Sequence, residues 1–118
     1  MTVKDSAFVC SMTAIPADQR SAHLGTLEKL FRAVECIHEL PNGYTFRLPN
    51  QSDVLLKAAH FIALERLCCP FFSFHLDVEG ERGAIWLSLT GQEGVKPFIM
   101  AEIGGHLPLN IERKMECR

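Results

Sequence analysis

Residues 61–76 read FIALERLCCPFFSFHL, and the pattern of apolar residues changes period within them. Up to the cysteines the spacing is helical: Val54, Ala58, Phe61, Ile62, Cys68 and Cys69 project onto one arc of a helix that begins at PNQSDV. Beyond Pro70, Phe72, Phe74, Leu76 and Val78 alternate with Ser73, His75, Asp77 and Glu79, as in a strand with one buried face. Pro70 disfavours helical geometry at Cys69, so the helix is expected to end at about Cys68. A helix followed at once by an amphipathic strand implies an α+β fold.

Towards the N-terminus, ECIHEL and YTFRL flank PNG and predict a hairpin, with Asn42-Gly43 as the turn. PADQRSAHLGTLEKLFRAV predicts a helix with Pro16 in its first turn and Leu24, Leu27, Leu30, Phe31 and Val34 on one side. AFVCSM reads as a first strand, and Asn50 or Ser52 as the cap of the second helix. Towards the C-terminus, AIWLSLT pairs with the strand after Pro70 through a hairpin around GERG. TGQEGVKPFIMAEIG predicts a third helix, with capping-box spacing at Thr90 and Glu93 and a late start or kink at Pro97. An irregular tail follows from about residue 105, packing through Leu107 and Leu109.

The order β-α-β-β-α-β-β-α contains a ferredoxin-like β-α-β-β-α-β core with an added antiparallel strand and a C-terminal helix. The whole chain, 1–118, forms one domain on this reading. Two helices cover one face of the sheet. The other face carries His75 and Asp77 beside Trp86 and Ser88, a surface suited to a homodimer or to a small-molecule ligand not otherwise identified.

Composition sets the class. An apolar fraction of 47% with 22% charged residues belongs to a folded globular chain. The net charge of -2, without a basic run, argues against a nucleic-acid partner. No leader-like or membrane-spanning apolar run occurs, so a cytoplasmic location is expected, and with it five free thiols at Cys10, Cys36, Cys68, Cys69 and Cys117. Cys10 and Cys36, both read onto strands, would be neighbours if those strands paired, and Cys117 would be exposed and prone to accidental intermolecular bonds.

The anomaly lies in the second helix. Glu65 falls in the middle of its apolar arc, with Cys68 and Cys69 three and four residues later, the spacing at which helix side chains meet. Three chemistries would use that grouping. Thiolates with a carboxylate bind a thiophilic ion such as zinc or copper, which makes Cys68, Cys69 and Glu65 candidate ligands. Vicinal thiols could instead sense redox state, although a bond between adjacent cysteines is strained. Glu65 as a general base in an enzyme ranks third. Against a metal, consecutive helix side chains diverge, no CxxC occurs, and His60 lies on the far side of its helix. His75, His23 and Arg66 are secondary candidates.

The structural alternative is a non-catalytic dimerisation or ligand-binding module. In it the cysteines act as small apolar residues, and Glu65 pairs with Arg20, His23 or Arg47. His23, among Leu27, Leu30 and Val34, reads more simply as a satisfied core histidine. Gly91, Gly94 and Lys96 in LTGQEGVK offer a weak anion-binding loop, but the capping box alone accounts for the pattern.

FIALERLCCPFFSFHL and IWLSLTGQEGVKPFI together resemble a family of small bacterial proteins with a Glu-Arg-x-Cys-Cys-Pro-Phe run and a Leu-Thr-Gly-Pro-Glu-Gly-Val-Lys run. Glu65, Arg66, Cys68, Cys69, Pro70 and Phe71 match the first run. Leu89, Thr90, Gly91, Glu93, Gly94, Val95 and Lys96 match the second, with Gln92 where the pattern has proline. The resemblance covers about the C-terminal half and implies a dedicated role for the cluster without naming a reaction.

Overall fold

The computed structural model describes residues 8–108 and Cys117. Its elements are α1 (Arg20–Arg32), β1 (Cys36–Leu40), β2 (Gly43–Leu48), α2 (Ser52–Cys68), β3 (Ser73–Val78), β4 (Ile85–Thr90) and α3 (Val95–Ile103). The four strands form one antiparallel sheet in the order β1-β2-β4-β3. This is an α+β fold with three helices.

The segment read as a first strand is not one. Residues 8–11 carry no regular structure, and Met12–Ala14 form a single 3-10 turn. The helix α2 still joins two parallel strands, β2 and β3, with another strand between them. The strand in that gap is β4, which pairs with both neighbours from Ile85 to Thr90. Its alternating Ile85, Leu87 and Leu89 are buried to within 1%, and the central place in the sheet goes to the more apolar strand. The N-terminal segment instead docks on the end of α2, where Ser11 N–H donates to Cys68 O at 2.9 Å.

One sheet face is dry. Ile37, Phe46, Leu48, Ile85, Leu87 and Leu89 share it, and Phe31 of α1 and Phe61 of α2 pack on it edge-to-face with Phe46 and Phe74. The register places His38, Thr45, Ser88 and His75 in one row of the other face, and Cys36, Arg47, Trp86 and Asp77 in the next. His75 and Asp77 therefore do stand beside Ser88 and Trp86. That face also holds the C-terminal tether, because Cys117 is bonded to Cys36.

Local chemistry explains the boundaries. α2 ends at Cys68, and Cys69 leaves helical geometry (φ -128°, ψ 72°) ahead of Pro70. Its N-cap is Gln51 rather than Asn50 or Ser52, and Asn50 Nδ2 donates across to Gly83 O at 2.6 Å. α1 begins at Arg20, after a separate 3-10 turn at Ala17–Gln19, and its Leu24 is 54% exposed rather than on the packed side. α3 starts late, at Val95, which leaves Pro97 in the first turn where its missing N–H costs nothing. The Thr90–Glu93 capping box does not form: the N-cap is Gly94, in the left-handed region at φ 96°. In the first hairpin the turn residues are Pro41 and Asn42, and Gly43 already belongs to β2. Gly43 is required there because a Cβ would sit 2.0 Å from Leu89 O of the neighbouring strand. Leu107 is buried, as expected for the tail, and Leu109 lies outside the described residues. Among the described residues, no helix is long and apolar enough to cross a membrane.

Candidate functional site

The end of α2 brings its anomaly to the centre of the molecule. Val54, Ala58, Phe61, Leu64, Glu65 and Cys68 form its buried face, and Glu65 is 1% exposed. An ionised carboxylate in that position needs a partner. It has one: His23, equally buried on α1, places Nε2 2.8 Å from Glu65 Oε1. The His23 ring also stacks on Phe61, with centroids 5.8 Å apart. Of the three partners open to Glu65 from the sequence, His23 is the one it meets; Arg20 donates to Ile15 O, and Arg47 pairs with Glu35.

The sulfurs lie beside this pair. Cys68 Sγ is 3.7 Å from Glu65 Oε1 and 3.5 Å from Cys69 Sγ. Cys10 arrives on the N-terminal segment and is joined to Cys69 in a disulfide, with Cα atoms 4.7 Å apart. The five cysteines are therefore not all thiols: Cys10–Cys69 and Cys36–Cys117 are bonded, and Cys68 is the free one, buried. Both Cα separations, 4.7 and 5.3 Å, fall in the range a disulfide spans without moving backbone. Cys10 and Cys36 are not neighbours, because the strand expected to carry Cys10 does not form. Cys117 is committed within its own chain.

Glu102 of α3 completes the cluster from the opposite side. Its Oε1 lies 3.8 Å from Cys10 Sγ and its Oε2 3.9 Å from Cys69 Sγ, so the carboxyl straddles the disulfide. Disulfide sulfurs carry no proton, so these are contacts and not hydrogen bonds. Burial, then the nearby Glu65 carboxylate and hydrogen bonding to it, push the Glu102 carboxyl up to about 8. Glu65 Oε2 is buried without a donor, and a protonated Glu102 can supply one. The Cys68 thiol is pushed up to about 12, first by burial and then by the charges of Glu65 and Glu102.

Cys10, Glu65, Cys68 and Cys69 offer one ligand atom each within 4.8 Å of one another. A tetrahedral zinc with Zn–S near 2.3 Å and Zn–O near 2.1 Å sets sulfurs roughly 3.8 Å apart and sulfur to oxygen roughly 3.6 Å. The Cys68–Cys69 and Cys68–Glu65 separations, 3.5 and 3.7 Å, match that spacing. Cys10 and Cys69 match it only when their bond is open.

The remaining sequence candidates lie elsewhere. His75 is exposed on the sheet face that turns away from the helices, and Arg66 is exposed on α2. Gly91 N–H donates to Asn42 O at 3.1 Å, and Lys96 pairs with Glu39 and sits 5.4 Å over the Tyr44 ring, so that loop is occupied by internal contacts. Two members of the cluster went unread in the sequence. Cys10 gave no local signal, being 59 residues from its partner. Glu102 did give one: with Val95, Ile99 and Ile103 it shares the buried side of α3, a carboxylate on an apolar arc just as Glu65 is. A surface pocket lined by Glu28, Lys29, Arg32 and Ala33 includes no member of the cluster.

Comparison with protein-family models, with curated proteins and with solved structures yields no match. The class of protein is set by fold and cluster alone: a small α+β domain with a buried thiol–disulfide–carboxylate centre at the end of its second helix.

Proposed function

We propose that this chain is a redox-dependent binder of a thiophilic metal ion, zinc or copper, in which Cys10 joins Cys68, Cys69 and Glu65 as a ligand once the Cys10–Cys69 bond is reduced. The observation that carries the reading is the convergence of three sulfurs on a buried carboxylate whose Oε2 has no donor. His23 holds Glu65 Oε1, the oxygen whose 3.7 Å spacing to Cys68 Sγ suits an ion, the kind of support that ligating side chains receive from their surroundings. Oε2 of the same carboxyl has no donor. Three thiolates from one helix end and one apposed segment answer the objection that two adjacent cysteines chelate poorly. In a reducing cytoplasm the ligand form prevails; under oxidation the disulfide removes two of the four ligands.

A second reading has its own support. The disulfide, the His23–Glu65 pair and the Glu102 carboxyl pack together at the end of α2 without any ion, as a cross-linked polar core would. Titrating the reduced chain with zinc or copper(I) against a chromophoric chelator separates the two. The metal reading predicts one ion bound per reduced chain, none per oxidised chain, and weaker binding for Cys10→Ser, Cys68→Ser and Glu65→Gln. A reduced, folded chain that competes for neither ion leaves the structural core as the answer.

A further inference from the structure

The two ends of the Cys10–Cys69 bond differ in their surroundings. Cys69 is fully buried and Cys68 is 2% exposed, whereas Cys10 is only partly buried. Cys10 also sits on an irregular stretch, next to Val9, which is 61% exposed. That stretch is held to α2 by the Ser11–Cys68 backbone bond, and Phe8 packs on Phe71 and Phe98 at 5.3 and 6.1 Å. A thiolate arriving from solvent therefore meets Cys10 first, with Cys69 behind it as the leaving group.

We propose that Cys10 is the site at which a small-molecule monothiol enters the centre, and that residues 8–11 are the gate to the buried sulfurs. The inference rests on the reading that Cys10 and Cys69 work as thiols. In the first step the external thiolate attacks Cys10 Sγ, the Cys10–Cys69 bond breaks, and Cys69 leaves as a thiolate beside Cys68. Cys10 then carries a mixed disulfide. A second monothiol attacks the external sulfur of that adduct and releases Cys10. The balance is two monothiols oxidised to one disulfide and the protein's cystine reduced to two thiols, with both protons supplied by the incoming thiols. Without the bond, residues 8–11 retain one backbone bond to α2, and Cys68, Cys69, Glu65 and Glu102 gain a route to solvent.

The test uses the oxidised full chain under native conditions with glutathione as the probe. Acid quenching, alkylation of free thiols and digestion then map each cysteine. Glutathione on Cys10 with the alkyl label on Cys69, in both the wild-type chain and Cys68→Ser, is the expected result. Glutathione on Cys69 or Cys68 overturns the proposal. So does an adduct on Cys10 that disappears in Cys68→Ser, because glutathione would then need Cys68 to exchange first into the Cys10–Cys69 bond. Absence of any adduct while the Cys36–Cys117 bond is opened also overturns it. Metal titration of chemically reduced chain is independent of this route, so a chain that binds an ion yet takes glutathione on Cys69 loses the gate and keeps the metal site.

Discussion

His23 Nε2 and Glu65 Oε1 lie 2.8 Å apart, on helices α1 and α2, with both side chains 1% exposed. Buried pairs of this kind are costly to break from one side, because the remaining group is left without a partner in the core. His23→Ala and Glu65→Ala are each expected to lose about 3–5 kcal/mol of stability, while Glu65→Gln, which keeps an acceptor for His23, loses less. The double variant His23→Leu/Glu65→Leu should recover a large part of the loss, since an apolar replacement leaves no group unpaired. Urea unfolding of the five chains (wild type and four variants) measures this directly. Single variants no costlier than a surface substitution would mean that the pair contributes nothing to the core.

Glu102 gives the fold a pH dependence of definite sign. Its carboxyl is raised from the ordinary 4.5 to about 8 in the folded chain. The native state therefore holds a proton that the unfolded state has lost between those values, and stability falls as pH rises through that window. Below 4.5 both states are protonated at this group and the full contribution is present. Glu102→Gln, neutral at every pH and of the same shape, should remove that slope. Chemical denaturation of both chains at several pH values reads it out; parallel curves for the two would show that Glu102 ionises normally.

What the sequence revealed and what it hid divide along one physical line. Period is local, and much of it reads correctly: the end of α2 at Cys68, the alternation of β3 as far as Leu76, the hairpin at PNG and the late start of α3. The expected caps of α2 and α3 do not form, and Val78 is exposed. Glu65 was visible for the same reason, since a carboxylate on an apolar arc breaks the helical pattern. Pairing between distant segments is not local. AFVCSM alternates well enough to be a strand, yet β4 competes for the same place in the sheet and occupies it. Once that strand is lost, Cys10 goes to the end of α2, and no local feature of the chain predicts the bond it forms there. Glu102 lies between these cases: the period of α3 puts it beside Val95, Ile99 and Ile103, yet nothing local to that helix points to the cysteines it meets.

Cys68 should resist ionisation far beyond the ordinary thiol range. Its value is pushed from 9.0 to about 12 by burial, with the Glu65 and Glu102 charges adding to the effect. Ultraviolet thiolate absorbance of the oxidised chain, in which Cys68 is the free cysteine, is expected to stay low between pH 9 and 12. Glu65→Gln removes one of those charges and should bring the rise to lower pH, leaving the part due to burial. Because the folded value is raised, stability also declines across that window as the unfolded chain loses its proton first. An ordinary titration near 9.0 in the folded chain would contradict the geometry.

The Cys10–Cys69 bond should stabilise the domain by an amount that grows with the logarithm of the loop it closes. Its ends are 59 residues apart, and in the chain-entropy picture a loop of that size is worth about 4 kcal/mol. Cys10→Ser, measured oxidised, is therefore expected to lower Tm by on the order of 10 °C or more. The same substitution measured in reductant should cost little, because the wild-type chain no longer has the bond either. That contrast separates the cross-link from the packing of Cys10 itself. An equal loss under both conditions would assign the effect to the side chain and not to the bond, whereas no loss under either would mean that the N-terminal segment is stapled without benefit to the fold. The last outcome would favour the metal reading, in which the bond is formed and broken in use and the domain is stable in both states.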